Sequence, residues 1–192
     1  MCRKSILLTA SIMALGLVPS SYGAKVVVGD FEGSLDGWQA KDATLSFSTT
    51  GATLGTQALQ VDGPGGWHID GLLDIKPHRQ SLGDAGAVIT ADVTAFAADM
   101  TTTWMQVEMV INAQNNNDAG ANNNVGWRGL GLQNIIRDGQ PHTFTWALPE
   151  ALTSAIAGTD GNIWWVELAL VSNLDSASVT KFYIDNIQLG RP

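Results

Sequence analysis

Residues 103–114 read Thr-Trp-Met-Gln-Val-Glu-Met-Val-Ile-Asn-Ala-Gln, and apolar residues recur at every second position. One row consists of Met105, Val107, Met109, Ile111 and Ala113, and the other of Trp104, Gln106, Glu108, Val110, Asn112 and Gln114. Successive side chains of a β-strand point to opposite faces, so this alternation predicts a strand with one face in the core and one mixed aromatic and polar face. A helix would space its apolar residues three and four apart, so the stretch favours a β fold.

Two further stretches alternate in the same way. The stretch 163–173 places Trp164, Val166, Leu168 and Leu170 on a core row, and Trp165, Glu167, Ala169 and Asn173 on the other. The stretch 87–95 places Ala87, Ile89, Ala91, Val93 and Ala95 inside, and Thr90, Asp92 and Thr94 outside. If the three strands lie in one sheet, their outward residues share a single surface.

The rest of the chain beyond residue 24 follows the same pattern, with Gly, Asn, Asp and Pro between short apolar segments. We predict strands over 25–32, 43–48, 58–61, 67–75, 87–95, 103–113, 142–148, 163–171 and 180–189. One helical segment is predicted over 149–156, because Pro149 suits a first turn and apolar residues follow at a spacing of four. About nine strands in one domain predict an all-β, two-sheet antiparallel β-sandwich, a jelly roll. The Asn-rich stretch 112–124 is predicted to be a polar loop.

Charge and length restrict the function. The chain has 192 residues with 10 Lys and Arg against 18 Asp and Glu, a formal net charge of −8. That length fits one domain. An acidic domain is repelled by phosphate backbones and anionic lipid, so we expect no nucleic-acid partner and no binding to the membrane surface.

The first 23 residues have the pattern of a secretory signal peptide. Arg3 and Lys4 precede an apolar segment over 6–18, which is too short to span a bilayer. Small residues at Ser21 and Gly23 predict cleavage after Gly23, with the position after Ala24 as second choice. We therefore expect residues 24–192 to be a single secreted domain, extracellular or periplasmic, without membrane insertion. Cleavage removes Cys2 and two basic residues, leaving no disulfide and 8 basic against 18 acidic residues, a net charge of −10.

The outward face is suited to a carbohydrate. A sugar ring stacks its C–H face on an aromatic ring, while its hydroxyls bond carboxylates and amides. Trp67 and Trp127 lie beside glycines and are predicted as further platforms, whereas Trp38 and Trp146 are predicted core residues. The predicted ligand-binding set is Trp67, Asp92, Trp104, Gln106, Glu108, Asn112, Trp127, Trp165 and Glu167. The alternative is an ordinary solvent-facing sheet whose tryptophans are covered by loops.

Both ends of the chain carry recognisable motifs. The first end reads Gly-Asp-Phe-Glu-Gly-Ser-Leu-Asp-Gly-Trp over 29–38 and Gly-Thr-Gln-Ala-Leu-Gln-Val over 55–61, and the last reads Phe-Tyr-Ile-Asp-Asn-Ile-Gln-Leu over 182–189. These motifs resemble the jelly-roll carbohydrate-binding modules of the galactose-binding-like superfamily. The resemblance implies a β-sandwich with a structural calcium ion and a glycan site on a concave face or at loop tips.

Calcium also has an argument from the residues. Asp185 alternates with Tyr183, Ile187 and Leu189, so it is predicted to face the apolar side, where an unpaired carboxylate is costly. Asp30 and Glu32 offer the hard oxygen ligands that Ca²⁺ prefers. The resemblance implies an ion tying the first strand to the last, so the predicted ligands are Asp30, Glu32, Thr56 and Asp185. The alternative is a β-bulge at Asp185 and Asn186 that turns the carboxylate to solvent.

The function predicted is noncatalytic binding of a polysaccharide or oligosaccharide. A jelly-roll glycoside hydrolase or lyase that uses Glu108 and Glu167 is an alternative, because retaining glycosidases need two carboxyl groups about 5 to 5.5 Å apart. A cell-surface structural or adhesive β-sandwich is the other alternative. The three histidines show neither zinc spacing nor a nucleophile elbow.

Overall fold

The computed structural model describes residues 25–115, 125–157 and 163–192, so the predicted signal peptide and most of the Asn-rich stretch lie outside the described residues. The strands are β1 (Val26–Gly29), β2 (Gln39–Ala40), β3 (Thr44–Ser48), β4 (Ala58–Asp74), β5 (Val88–Phe96), β6 (Met105–Asn115), β7 (Gly126–Gly129), β8 (Gln133–Asn134), β9 (Asp138–Ala147) and β10 (Ile163–Gly190). Two helices, α1 (Arg79–Gly83) and α2 (Glu150–Ala157), and 3-10 turns at Lys76–His78 and Ala97–Asp99 connect them. No helix in this described part is long and apolar enough to cross a membrane.

Two long strands, β4 and β10, run through both layers of an antiparallel β-sandwich. Residues 163–174 of β10 pair with β6 on one side and with the second half of β4 on the other. Residues 179–190 of β10 pair with the first half of β4, with β1 and with β5, which in turn pairs with β9. The first layer therefore contains β2, β6, β7, β8 and the adjoining halves of β4 and β10, and the second contains β1, β3, β5, β9 and the other halves.

Glycines allow the long strands to bend together between the layers. β4 passes through Gly63-Pro64-Gly65-Gly66 at the bend, where the pairing with β10 shifts in register between Leu174 and Val179. A Cβ on Gly65 would lie 2.2 Å from the carbonyl oxygen of Asp175, so only glycine permits this approach. Gly66 has a φ of +92°, which side chains disfavour.

The core lies between the layers and contains the predicted inner rows. Met105, Val107, Met109, Ile111 and Ala113 of β6, Ile89, Ala91, Val93 and Ala95 of β5, with Ala87 just before it, and Val166, Leu168 and Leu170 of β10 are all buried there. Trp38 and Trp146 are only 2% and 1% exposed, which confirms them as core residues. The side chain of Trp164 lies outside the described part of the chain.

The predicted all-β sandwich is confirmed, but several predicted strand bounds are wrong. The first strand ends at Gly29 and not at residue 32, and β9 begins at Asp138 and not at residue 142. The strands predicted at 58–61 and 67–75 are one strand, β4, and those at 163–171 and 180–189 are one strand, β10. The intervening Gly and Pro residues form a bend, because backbone pairing to the partner strand continues on both sides of it. α2 lies where the single helix was predicted, whereas β2, β7, β8 and α1 were not predicted.

Candidate functional site

Cross-strand register assembles the outer face of the first layer from β7, β6, β10 and β4. Residues paired across antiparallel strands share a face. In order along the strands, the paired rows are Trp127, Asn112, Glu167 and Asp74; then Gly129, Val110, Ala169 and Leu72; then Glu108, Val171 and Ile69; and then Asn134, Gln106, Asn173 and Trp67. The outward residues predicted for β6 and for the first half of β10 therefore do lie on one surface.

The middle of this surface is apolar. Val110, Ala169 and Val171 form a small buried cluster that is separate from the main core, and Ile69 and Leu72 pack against it. These side chains lie outside the sandwich core but are largely covered by their neighbours. They form a smooth apolar floor between polar residues at both ends.

Two exposed tryptophans border that floor. Trp67 on β4 is 59% exposed and Trp127 on β7 is 48% exposed. Both line one cleft of about 490 Å³ together with Ile69, Glu108, Val110, Gly129 and Val171. Trp127 belongs to the first of the paired rows and Trp67 to the last, and their strands lie on opposite sides of the face. The two tryptophans are therefore at diagonal corners of it. The cleft, defined by these seven residues, has the volume usual for a small-molecule site.

Polar side chains are held in place at both ends of the cleft. At the Trp127 end, the Asn112 amide donates to Glu167 Oε2 at 3.1 Å, and no described residue bonds the buried Asn112 Oδ1. At the Trp67 end, the Asn173 amide donates to Gln106 Oε1 at 3.1 Å, and Gln106 donates to Asn134 at 3.2 Å. Hydrogen bonds of this kind fix each group before any ligand arrives.

Glu108 is the carboxylate that lines the cleft itself. Its Oε1 accepts the backbone N–H of Gly131 at 2.7 Å. A Cβ on Gly129 would lie 2.3 Å from the same oxygen, so the missing side chain makes room for the carboxylate. The carboxylate is thereby anchored at the β7 side of the floor.

Trp104 and Trp165 lie at opposite ends of the same face. Trp104 is partly exposed and its indole N–H donates to Asp175 Oδ1 at 3.2 Å. Trp165 is half-buried and pairs with Gln114, beyond the Asn112 and Glu167 pair. Neither lines the cleft, so the tryptophans nearest its centre are the two that the sequence placed beside glycines.

Asp92 was predicted on this face, and the structure places it elsewhere. β5 pairs with β9 and with the second half of β10, so the outward residues of β5 belong to the second layer. Asp92 is buried there and accepts hydrogen bonds from the hydroxyl groups of Thr53 and Thr143 at 2.7 and 2.6 Å. The error arose because alternation gives the face of a strand but not the layer to which the strand belongs.

Asp185 also lies differently from its prediction. The register with β5 shifts after Asp185, and Asn186 has a φ of 52°, so a bulge separates Asp185 from the alternation of Ile187 and Leu189. The bulge turns the carboxylate away from the core but not to solvent, since Asp185 is 0% exposed. Its Oδ2 accepts the backbone N–H groups of Thr53 and Leu54 at 2.6 and 2.7 Å.

The predicted calcium ligands do not form one site. Glu32 accepts the N–H groups of Thr56 and Gln57, each at 2.6 Å, which lowers the pKa of its carboxyl group. Asp185 instead binds the start of the same loop, and Asp30 borders a separate polar cleft with Asp36 and Asp74. The described residues include no group of three or more His, Cys, Asp or Glu side chains placed to share a metal. In this arrangement the carboxylates of Glu32 and Asp185 accept backbone N–H groups of the segment 53–57.

Glu108 and Glu167 are too far apart for a pair of glycosidase carboxylates. Glu108 pairs with Val171, four residues along β10 from Glu167. At about 3.4 Å per residue and about 4.8 Å between strands, their Cα atoms are roughly 14 Å apart. Both side chains extend toward the β7 side of the face, Glu108 to the Gly131 N–H and Glu167 to the Asn112 amide. Their carboxyl groups therefore stay far apart. Retaining and inverting enzymes need about 5 to 5.5 Å and about 6.5 to 9.5 Å between carboxyl groups.

Comparison with known proteins identifies the fold. No family model and no curated protein matches the chain. A solved xylan-binding domain of carbohydrate-binding module family 22 is 14% identical with a TM-score of 0.55, covering 90% of this chain and 96% of its own. The fold is that of the jelly-roll carbohydrate-binding modules.

Two more such modules have the same architecture. The family 27 module of Caldicellulosiruptor saccharolyticus, solved in complex with mannohexaose, is 14% identical with a TM-score of 0.57, covering 88% of this chain and 97% of its own. The family 11 module of a Clostridium thermocellum cellulosomal cellulase is 16% identical with a TM-score of 0.51, covering 88% of this chain and 95% of its own. The predicted jelly-roll module fold is thus confirmed.

Sequence reasoning missed the floor of the cleft. Ile69 and Val171 were assigned to strands without a role, although Ile69 alternates with Trp67 on the same face. Extending the alternation from the exposed tryptophan would have found Ile69. Val171 has the same alternation as Ala169 and Asn173 of the predicted outward row, so extending that row would have found it too.

Proposed function

We propose that this protein binds a polysaccharide or oligosaccharide in the cleft without cleaving it. The observation that carries the proposal is the pair of exposed indoles, Trp67 and Trp127, on either side of an apolar floor. An exposed apolar patch bordered by polar residues is typical of a ligand-binding groove. A sugar ring covers an indole with its C–H face and presents hydroxyl groups at its edge.

The polar ends of the cleft support a ligand rich in hydroxyl groups. Carboxylates accept hydrogen bonds and amides both donate and accept, which matches sugar hydroxyls. Asn112 is itself buried, and its amide holds Glu167 Oε2 in place at 3.1 Å. Neighbours of the same fold are described as binding xylan and mannohexaose, so both are first ligands to test.

Substitution at the tryptophans tests this proposal directly. We expect Trp67→Ala and Trp127→Ala each to weaken binding of the glycan that wild type binds on an array by about 1 to 3 kcal/mol, or roughly 5- to 150-fold. Phe47→Ala is the matched control, because Phe47 is also an exposed aromatic residue but lies on β3 in the second layer. Binding that survives both tryptophan substitutions, or is lost equally in the control, would reject the cleft as the site.

Secretion is part of the proposal. The charged start, apolar segment and small residues of positions 1–23 support export of the chain. We expect the protein to appear outside the cytoplasm with Ala24 as its first residue when produced in a bacterium, as N-terminal sequencing would reveal. Cytoplasmic retention with Met1 intact would contradict it.

Structural calcium stays a prediction that melting experiments decide. An ion that binds only the native state raises the melting temperature by mass action, so calcium requires a fall of several degrees when EDTA is added. Equal melting temperatures in calcium and in EDTA would assign the joining of the chain ends to hydrogen bonds alone.

A further inference from the structure

Among the described residues, the one charged side chain that lines the cleft is acidic, and acidic groups also lie just beyond it. Glu108 lines the cleft itself. Glu167 and Asp74 are cross-strand partners in the row of Trp127, and Asp175 lies at the other end, bonded to Trp104. No lysine or arginine lines the cleft among the described residues. A glycan in the cleft would therefore meet carboxylates at both ends and no lysine or arginine in the lining itself; the exposed Arg128 of β7 pairs with the inward Ile111 and so belongs to the opposite face of the strand.

From this arrangement we propose that the cleft selects neutral glycans and rejects chains that carry uronic acid carboxylates. This inference rests on the proposed function and specifies its substrate class. A neutral sugar offers hydroxyl groups that donate to Glu108 and Glu167. A uronate offers a carboxylate that can only accept, and like charges placed together in an interface cost several kcal/mol.

The two carboxylates cannot easily turn away from the ligand. Glu108 Oε1 is fixed by the Gly131 N–H at 2.7 Å, and Glu167 Oε2 by the Asn112 amide at 3.1 Å. The floor between them, Val110, Ala169 and Val171, excludes water, which strengthens electrostatic interactions over the cleft. Repulsion at such short range is screened by salt much less than the repulsion from the net charge of the whole domain.

Matched hexasaccharides test the inference. Mannohexaose and hexamannuronate share the β-1,4-linked manno backbone and differ in the carboxylate at C6, and cellohexaose and its C6-oxidised form make a second pair. We expect the neutral member of the pair that binds to do so at least about tenfold more tightly than its uronate by calorimetry, both at low salt and in about 0.5 M NaCl. Thermal melting curves would establish that the Glu→Gln variants described next are folded.

Isosteric substitutions then locate the cause. Glu108→Gln, and Glu108→Gln combined with Glu167→Gln, remove charge and should each reduce the ratio of neutral to uronate affinity several-fold, the double variant more. Glu150→Gln removes the same charge on the exposed start of α2, away from the cleft, and should leave the ratio unchanged.

The possible outcomes distinguish a failure of this inference from a failure of the proposed function. Equal or tighter binding of the uronate overturns the inference and leaves glycan binding intact. A preference that disappears in high salt and is insensitive to both cleft substitutions would assign it to net charge and also overturn the inference. Failure of every neutral and uronate hexasaccharide to bind would overturn the proposed function together with it.

Discussion

The role of each tryptophan depends on whether its side chain is buried in the core or exposed at the cleft. Trp38 and Trp146 are buried in the core, and the Trp146 indole N–H donates to the Gly131 carbonyl at 3.0 Å. Trp67 and Trp127 contact the cleft and are about half exposed. Removing a buried indole leaves a cavity, whereas removing an exposed one leaves mainly water.

Trp38→Ala and Trp146→Ala are therefore expected to lower the free energy of unfolding by about 3 to 5 kcal/mol. Trp67→Ala and Trp127→Ala should change it by less than about 1 kcal/mol, since surface substitutions cost little. Trp104→Ala should fall between, because it loses the bond to Asp175. Urea denaturation of the five variants checks this order, and equal destabilisation of all five would show that the cleft tryptophans are structural.

Glu108 decides between binding and catalysis at the scale of one residue. Glu108→Gln keeps the shape and one acceptor oxygen, so affinity for a neutral glycan is expected to stay within about tenfold of wild type, or about 1.4 kcal/mol. Wild type is expected to release no reducing sugar, because Glu108 and Glu167 are separated by four residues of β10 register. A reducing-sugar assay that detects cleavage, abolished by Glu108→Gln and by Glu167→Gln, would replace the binding proposal with a glycosidase.

Among the elements, the segment 53–57 joins the two ends of the chain. Asp185 of β10 accepts the N–H groups of Thr53 and Leu54, and Glu32, just after β1, accepts those of Thr56 and Gln57. A Cβ on Gly55 would lie 2.5 Å from the Glu32 carboxyl carbon, so glycine permits the segment to close on it. Hydrogen bonds thus link the first and last strands at the place where a calcium ion is predicted.

The buried Asp185 carboxylate accepts three backbone N–H groups, those of Thr53 and Leu54 through Oδ2 and that of Asn186 through Oδ1. Asp185→Asn is expected to destabilise the protein by about 2 to 4 kcal/mol, because an amide has one acceptor oxygen in place of two. Glu32→Gln should cost less, since Glu32 is exposed and water can replace its bonds. Chemical denaturation in EDTA, which removes any contribution from calcium, compares the two. Equal effects would mean that the burial of Asp185 does not matter.

The elements also reveal how far alternation predicts structure. Inner rows were correct for β5 and β6, because one face of each strand packs on the main core and every second side chain points into it. The prediction failed at Asp185, where a bulge shifts the alternation by one residue, and at the Gly and Pro bends of β4. The bulge at Asp185 and Asn186 was only the alternative, and the bend of β4 was taken for a turn, because Gly, Pro, Asn and Asp are typical of turns as well.

At the scale of the whole molecule, what remained unpredictable was long-range pairing. Asp92 and Glu108 have the same outward pattern, yet their strands lie in different layers because β10 bends between them. The cleft depends on this arrangement, since it brings Trp67 of β4 and Trp127 of β7 to one face although 60 positions separate them in sequence. Residue types and faces were predictable, but the neighbours were not.

Three hydrogen-bonded polar side chains are buried next to the Gly and Pro bend of β4, and they make the stability of the whole fold depend on pH. His68, Asp70 and Ser172 all lie in the interior, with His68 Nε2 2.9 Å from Asp70 Oδ1 and 3.0 Å from the Ser172 hydroxyl oxygen. Ser172 donates to Asp70 Oδ1 at 3.1 Å, while no described residue bonds Asp70 Oδ2. Burial lowers the pKa of His68, but the hydrogen bond and the charge of Asp70 outweigh it, so the pKa lies above the ordinary 6.5.

A raised pKa in the folded state makes stability depend on pH in a definite direction. The contribution of the His68 proton is complete below the unfolded pKa and is lost as pH rises through the higher folded pKa. Burial also raises the pKa of Asp70, and a raised carboxyl pKa likewise makes stability fall as pH rises. Asp42 accepts the Ile69 N–H beside the pair, and its negative charge favours the proton on His68. The free energy of unfolding should therefore fall as pH rises above the ordinary histidine pKa of about 6.5. Urea denaturation at several pH values checks this, with His68→Gln expected to flatten the decline and His142→Gln, in the exposed pair with Asp138, to preserve it. A wild-type stability that rises over this range, or a decline that survives His68→Gln, would show that His68 does not hold the proton.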